Sequence, residues 1–200
     1  MHEQKWIVAI AGPPATGKSA LAALLRARFG WPLLTKDGIK ETLFETLGAG
    51  DRAWSRRLSD ASFELMFRFA ADLIRDASVS VLEGNFRAPA HLERLRDLAA
   101  AHGSRLLIVD LHAEASVTRQ RLHERATDGA RHPGHLDREL AAQPELAAAS
   151  DIAGADPVSV TEPCGSGDVW LRRDTSVLDD AVLDAIASAV AVRILACPVG

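Results

Sequence analysis

Residues 12–19 read GPPATGKS, a spacing of G-x-x-x-x-G-K-[ST]. Gly12 and Gly17 permit a tight backbone turn whose N–H groups point inward at an anion. A helix opening near Lys18 adds its positive dipole end. The residue types therefore suit a nucleotide phosphate cradled by Gly12, Pro13, Pro14, Ala15, Thr16 and Gly17. The Lys18 ammonium would reach the β- and γ-phosphates, and the Ser19 hydroxyl would take one position on Mg²⁺. Mg²⁺ needs a further anchor, commonly a carboxylate ending a neighbouring strand. Glu83 ends VSVLE and Asp110 ends LLIVD, so both are candidates. Glu83 is preferred if its strand lies beside the first one. Asp110 otherwise reads as an acid capping the next turn.

Phosphoryl transfer to an alcohol also needs a base at the acceptor oxygen. Asp37 follows the second apolar run and can serve, either as that base or as the N-cap of the helix behind it. Lys36 beside it either contacts a polar or anionic acceptor or is a solvated surface lysine. Asn85, Phe86 and Arg87 follow the third run and form a candidate substrate wall, with a strand-end turn as the plainer reading. Arg119, Arg121, Arg125 and Arg131 lie in one segment, with Arg121 and Arg125 sharing a helix face. Guanidinium groups on a closing lid can stabilise charge on the moving phosphoryl group and exclude water. Arg119 suits a solvated face, whereas Arg125 and Arg131 suit the lid. His132 and His135 flank Pro133-Gly134 without a third or fourth ligand in pattern, so they read as lid contacts to phosphate or substrate rather than as a zinc site.

Strand-length apolar runs that alternate with helical periodicity must position these groups. Strands are expected at 6–11, 31–35, 78–86, 105–113 and 169–175. Helices are expected after Gly17 to Phe29, over 37–48, 52–78, 88–103, 115–129 and weakly 138–149, and over 176–195, with Ser176 as cap. In 52–78, Leu58, Leu65, Phe69 and Leu73 form one stripe and Phe63, Phe67 and Ile74 another, which predicts burial on two sides. Segments 130–137 and 154–168 read as loops. The alternation implies a parallel sheet with helices on both faces. Ligands then bind beyond the carboxyl ends of the strands, where the polar clusters fall.

The 200 residues fit one domain, with 119–150 as its lid. Apolar residues at 48% supply a sizeable core. A formal charge of −4 leaves no basic footprint for long nucleic acid, though it does not preclude a small basic pocket. The longest N-terminal apolar run is too short for a signal peptide, and nothing approaches the roughly 20 apolar residues of a membrane span. Cys164 and Cys197 form no disulfide or metal framework. A cytoplasmic protein with no membrane partner is expected, as a monomer or a homodimer.

The segments GPPATGKS, TKDGIKETLFETLG, VLEGNFR, RQRLHERATDGARHPGH and RRDTS together resemble the P-loop kinases grouped as ATPase-family or kinase-like proteins. These are similar in layout to polynucleotide kinase, zeta toxins, chloramphenicol phosphotransferase and the gluconate and shikimate kinases. The resemblance spans about residues 6 to 190. It implies a three-layer α/β fold, the P-loop NTPase fold, with a five-stranded parallel sheet of order 2-3-1-4-5 and a lid between strands four and five. It implies that Asp37 activates the acceptor and that Arg121 and Arg125 are the R-x-x-x-R of the lid helix. Arg125 or Arg131 would contact nucleotide phosphates, and Arg173 to Thr175 would lie near the adenine. The chain departs from the group in carrying Glu83 rather than Asp after strand three and in lacking shikimate-type acceptor motifs. The expected activity is transfer of the ATP γ-phosphate, with Mg²⁺, to a hydroxyl of a small molecule. Alternatives are a 5′-hydroxyl polynucleotide or nucleoside kinase, a zeta-toxin-like kinase, and, from another class, a regulatory ATPase that does not transfer phosphate.

Overall fold

Strand β1, Lys5–Ala11, is continuously apolar from Trp6 onward because both of its faces are covered. Trp6, Val8 and Ile10 pack into one core with Leu21, Ala22 and Leu25 of α1 (Lys18–Phe29) and Ile186, Ala187, Val190 and Ile194 of α6 (Asp180–Leu195). Ile7, Ala9 and Ala11 face the opposite core. It holds Phe63, Met66, Phe67, Ala70 and Ile74 of α3 (Arg52–Asp76) and Leu92, Leu95 and Ala99 of α4 (Pro89–Ala101). The computed structural model describes residues 4–86, 88–127, 132 and 168–196.

Three layers follow: helices, sheet, helices. The sheet adds β2 (Leu33–Thr35), β3 (Val79–Glu83), β4 (Ser104–His112) and β5 (Val169–Asp174), in the order β2-β3-β1-β4-β5. All four pairings are parallel. Register places Ile10 beside Glu83 and Ala11 beside Asp110, so both acids stand at the carboxyl edge next to β1. Among the described residues the remaining helices are α2 (Lys36–Leu47) and α5 (Ala115–Thr127).

Two helix caps differ from expectation. Asp179, not Ser176, caps α6, its side chain accepting from Val182 N at 2.8 Å. Ser176 instead accepts from Glu114 N at 2.9 Å and so ties β5's exit to the start of α5. In α3 the burial is largely one-sided. Leu58, Phe63, Phe67 and Ile74 are buried, whereas Phe69 is 46% exposed. The helix lies on the sheet with one face, and α2 covers only part of the other. All of the expected loop 130–137 except His132, the expected helix 138–149, most of the turn-rich segment 154–168, and the cysteines Cys164 and Cys197 lie outside the described residues. No described helix is long and apolar enough to cross a membrane.

Candidate active site

The phosphate loop joins β1 to α1 and has three residues at positive φ: Gly12 at 132°, Ala15 at 64° and Gly17 at 88°. A Cβ on Gly12 would lie 2.1 Å from the Leu111 carbonyl oxygen, so only glycine lets the loop leave β1 against β4. Gly17 occupies the N-cap of α1 without a side-chain cap, and the helix has no acid in its first turn. The leading N–H groups of α1 therefore meet neither a capping side chain nor a local carboxylate, which suits an anion. Lys18 folds across the loop, its Nζ donating to Pro13 O at 2.6 Å. Thr16 Oγ1 donates to the same carbonyl at 2.9 Å. An ammonium has three N–H donors, so Lys18 can hold Pro13 and still meet a phosphate oxygen. Ser19 presents its side chain on the exposed surface of α1.

Contacts distant in sequence brace this loop. Thr175 is fully buried, with its Oγ1 2.9 Å from the carbonyl oxygens of both Thr16 and His112. Its N–H donates to His112 O at 2.7 Å. Arg121 of α5 completes the brace. Its Nη1 lies 3.3 Å from Ala15 O and 2.9 Å from Thr175 O, and its Nη2 is 3.0 Å from Ser176 O. Arg121 thus stands beside the loop, on main-chain carbonyls, and joins it to the β5–α6 connection. The resemblance makes Arg121 the first arginine of the lid helix's R-x-x-x-R, and nothing in the sequence marks Thr175 as a brace. One turn on, Arg125 lines an open cavity of about 500 Å³ with Arg121, Glu124 and Thr127. Arg131 lies outside the described residues.

The two acids at the sheet's edge point to opposite faces. Val79 and Val81 belong to the α1 side, so by strand alternation Glu83 does too. Leu106 and Ile108 belong to the α3 side, and Asp110 shares their parity. There Arg172 Nε of β5 lies 3.4 Å from Asp110 Oδ2. Of the two, Glu83 shares the sheet face that carries Lys18 and Ser19. A buried carboxylate and a hydroxyl are hard oxygen donors of the kind Mg²⁺ takes, the rest of its shell being water.

On the acceptor side, the N-cap of α2 is Thr35, whose side chain accepts from Gly38 N at 3.2 Å. A Cβ on Gly38 would sit 2.7 Å from Thr35 Oγ1, so glycine leaves room for the cap. Asp37 is therefore not the cap. It sits in the first turn with its side chain 40% exposed and Oδ1 3.4 Å from Lys36 Nζ. Lys36 is not a surface lysine either, being only 7% exposed. Its Cβ lies 3.3 Å from where a Cβ on Gly84 would be, so β3's last turn and the start of α2 close on each other.

Asn85 is exposed and available to a ligand, but Phe86 is not. Phe86 is 0% exposed, packed against Phe63 and Phe67 with ring centroids at 5.8 and 6.3 Å. The bend at Gly84 and Asn85 turns it back beneath α3, where it is core rather than a substrate wall. His132 reaches α2, its Nε2 3.4 Å from Glu45 Oε1 and its ring edge-on to Phe44 at 5.3 Å. Arg87 and His135 lie outside the described residues.

The comparisons agree with this architecture. A predicted kinase from Chloroflexus aurantiacus is 31% identical, with a TM-score of 0.79 over 95% of this chain and 98% of that one. The Mycobacterium tuberculosis APS kinase CysC, solved with AMPPNP and APS, is 17% identical, with a TM-score of 0.56 over 98% of this chain and 100% of its own. A Sinorhizobium meliloti gluconokinase is 16% identical, with a TM-score of 0.51 over 96% and 98%. The last two are similar in fold alone. No curated protein matches the sequence. The AAA domain family model matches residues 7–145, from β1 through the phosphate loop and past α5. With its 2-3-1-4-5 parallel sheet, the chain belongs to this family and is a P-loop kinase-like protein.

Proposed function

We propose that the protein is an ATP-dependent kinase that transfers the γ-phosphate to a hydroxyl of a small molecule in the cytoplasm. The observation that carries the reading is the cap of α2. Thr35 meets the helix's need for a capping oxygen, so the Asp37 carboxylate beyond β2 is not required for it. A carboxylate in that place suits a general base better than a structural cap. The acceptor hydroxyl attacks the γ-phosphorus, Asp37 takes its proton, and the bond to the β–γ bridging oxygen breaks to release ADP. Lys18 and the uncapped N-terminus of α1 hold the phosphate oxygens in line. Ser19 and Glu83 would hold Mg²⁺, which would neutralise phosphate charge. Arg125, on the wall of the open cavity, and Arg131 would meet the equatorial oxygens as a lid over 119–150 closes. Asn85 is placed to hydrogen-bond the acceptor. The AMPPNP bound to the mycobacterial neighbour supports a nucleotide in this fold.

The test is a labelled-ATP transfer screen over hydroxylated metabolites, antibiotics, nucleosides and 5′-hydroxyl oligonucleotides, with Asp37→Asn as the blank. Label should move to a small hydroxylated compound in the parent and not in the variant. Transfer that survives Asp37→Asn, or ATP hydrolysis with no acceptor, contradicts the reading.

A further inference from the structure

The first turns of α2 bury two ammonium groups at the acceptor side. Lys36 and Lys40 are each 7% exposed and one helical turn apart on the same face. Lys40 Nζ has a neutral partner, Ser55 Oγ of α3, at 3.0 Å. Lys36 Nζ faces Asp37 Oδ1 at 3.4 Å. Arg94 on the neighbouring α4 is already matched by Glu64 of α3 in a two-pronged pair. His91 of α4 stacks on Phe63 at 3.9 Å, and its buried Nδ1 has no hydrogen-bond partner. Burial above all, then Lys36, depresses the Lys40 pKa, with Asp37 opposing. Burial, then Arg94, lower the His91 pKa against the pull of Asp60 and Glu64, with Lys36 adding weakly, which disfavours a charge on His91.

A buried ammonium on a hydroxyl is costly, and an apolar side chain would tie α2 to α3 at less expense. Among the described contacts Lys36 meets one carboxylate, Asp37, and Lys40 a hydroxyl, so an anionic group would balance the second positive charge. Lysine meets carboxylate or phosphate as a point charge, with several donors.

We infer that Lys36 and Lys40 form an anion subsite within the acceptor pocket, so that the hydroxylated substrate carries a carboxylate or a phosphate. The inference deepens the kinase reading and rests on it for the meaning of the site, although the subsite can be tested apart from turnover. The Asp37 carboxylate would face the reacting hydroxyl while the lysines hold the anionic end, which fixes the acceptor's direction in the pocket. A neutral polyol of the same size would lack that hold.

The experiment is calorimetric titration of the full chain with inorganic phosphate and, separately, acetate. It is run in two states: saturated with Mg·AMPPNP, and as Lys18→Ala without nucleotide, so that the phosphate loop does not answer in place of the subsite. Saturable binding of at least one anion is expected in both states. Lys40→Met and Lys36→Met should each weaken it about tenfold or more, and Lys40→Arg should retain it. Which anion binds tighter distinguishes a phosphorylated acceptor from a carboxylic one. Absence of saturable binding in either state, or equal binding by parent and Met variants, overturns the subsite. Failure of the parent to bind AMPPNP would count against the kinase reading alone, since the Lys18→Ala arm still decides the anion question.

Discussion

Replacing Arg121 by Met separates a brace from a phosphate ligand. The guanidinium makes three contacts to main-chain oxygens of Ala15, Thr175 and Ser176, at 3.3, 2.9 and 3.0 Å. A hydrogen bond to a charged group contributes about 1.5–3 kcal/mol, but this side chain is partly exposed and water can recover some of each bond. The longest contact adds least, so the total loss on unfolding should be about 2–4 kcal/mol. Methionine keeps much of the aliphatic stem, which limits the packing loss.

The second consequence falls on the loop. Ala15 holds φ at 64°, a conformation that costs a residue with a Cβ about 1 kcal/mol. Arg121 and the Thr175 hydroxyl hold the carbonyls of Ala15 and Thr16 in place. Without the arginine the nucleotide-free loop can relax, and binding must restore it. Nucleotide affinity should then fall about fivefold to tenfold. Urea unfolding gives the first number and AMPPNP titration the second. Arg121→Met with an unchanged urea midpoint and a loss confined to kcat would refute the brace and make Arg121 a transition-state ligand.

Other outcomes follow from single contacts. Asp37→Asn should lower kcat by about 10²–10⁴ with nucleotide affinity unchanged, measured by single-turnover transfer. Gly12→Ala drives a Cβ to 2.1 Å from the Leu111 carbonyl, which β4 holds in place, and should destabilise by about 3 kcal/mol or more in urea unfolding. Gly30→Ala, at a φ of 69° with nothing within 4 Å of the new Cβ, should cost only about 1 kcal/mol. Phe86→Leu should cost about 1–2 kcal/mol of stability while the acceptor KM stays the same. His91 has a folded pKa below its ordinary 6.5, owing first to burial and then to the Arg94 charge. The unfolded chain therefore takes up the proton first. Stability from this group is complete above pH 6.5 and is lost as pH falls toward the folded pKa, a slope that His91→Gln should flatten in pH-dependent melts.

The phosphate loop was legible because every part of it is local: apolar strand, two glycines, lysine, hydroxyl, helix. The parallel sheet was legible because β1 and β4 are buried on both faces and carry the apolar runs Trp6–Ala11 and Leu106–Val109. The same fact hid which face Glu83 and Asp110 take, since alternation has no polar side to mark it. The strand order came from resemblance, not from periodicity. The sequence leaves Asp37 open as base or cap, because Thr35 and Asp37 are both good cap residues two positions apart and only the extended backbone of Thr35 decides between them. Phe86 was misread because the residues after a strand tend to face a ligand, whereas here the bend returns it to the core. Lys36 and Lys40 look solvated in any composition-based reading, and the packing of α2 on α3 that buries them is tertiary.

A common logic connects these points to the site. At each position two chemically similar groups compete for one structural duty, and the fold gives that duty to one of them. Thr35 caps α2, which leaves the cap out of Asp37's work. Arg172 holds Asp110 on the α3 face, so Glu83 is the acid on the side of Ser19. Arg121 is fastened to carbonyl oxygens, and Arg125, one turn further on, lines the open cavity. Residue type and spacing identify both members of each pair. Separating them takes a hydrogen bond or an ion pair between elements distant in sequence, as in the 159-residue span from Thr16 to Thr175. Tertiary contacts therefore decide which of two equivalent side chains carries each structural duty.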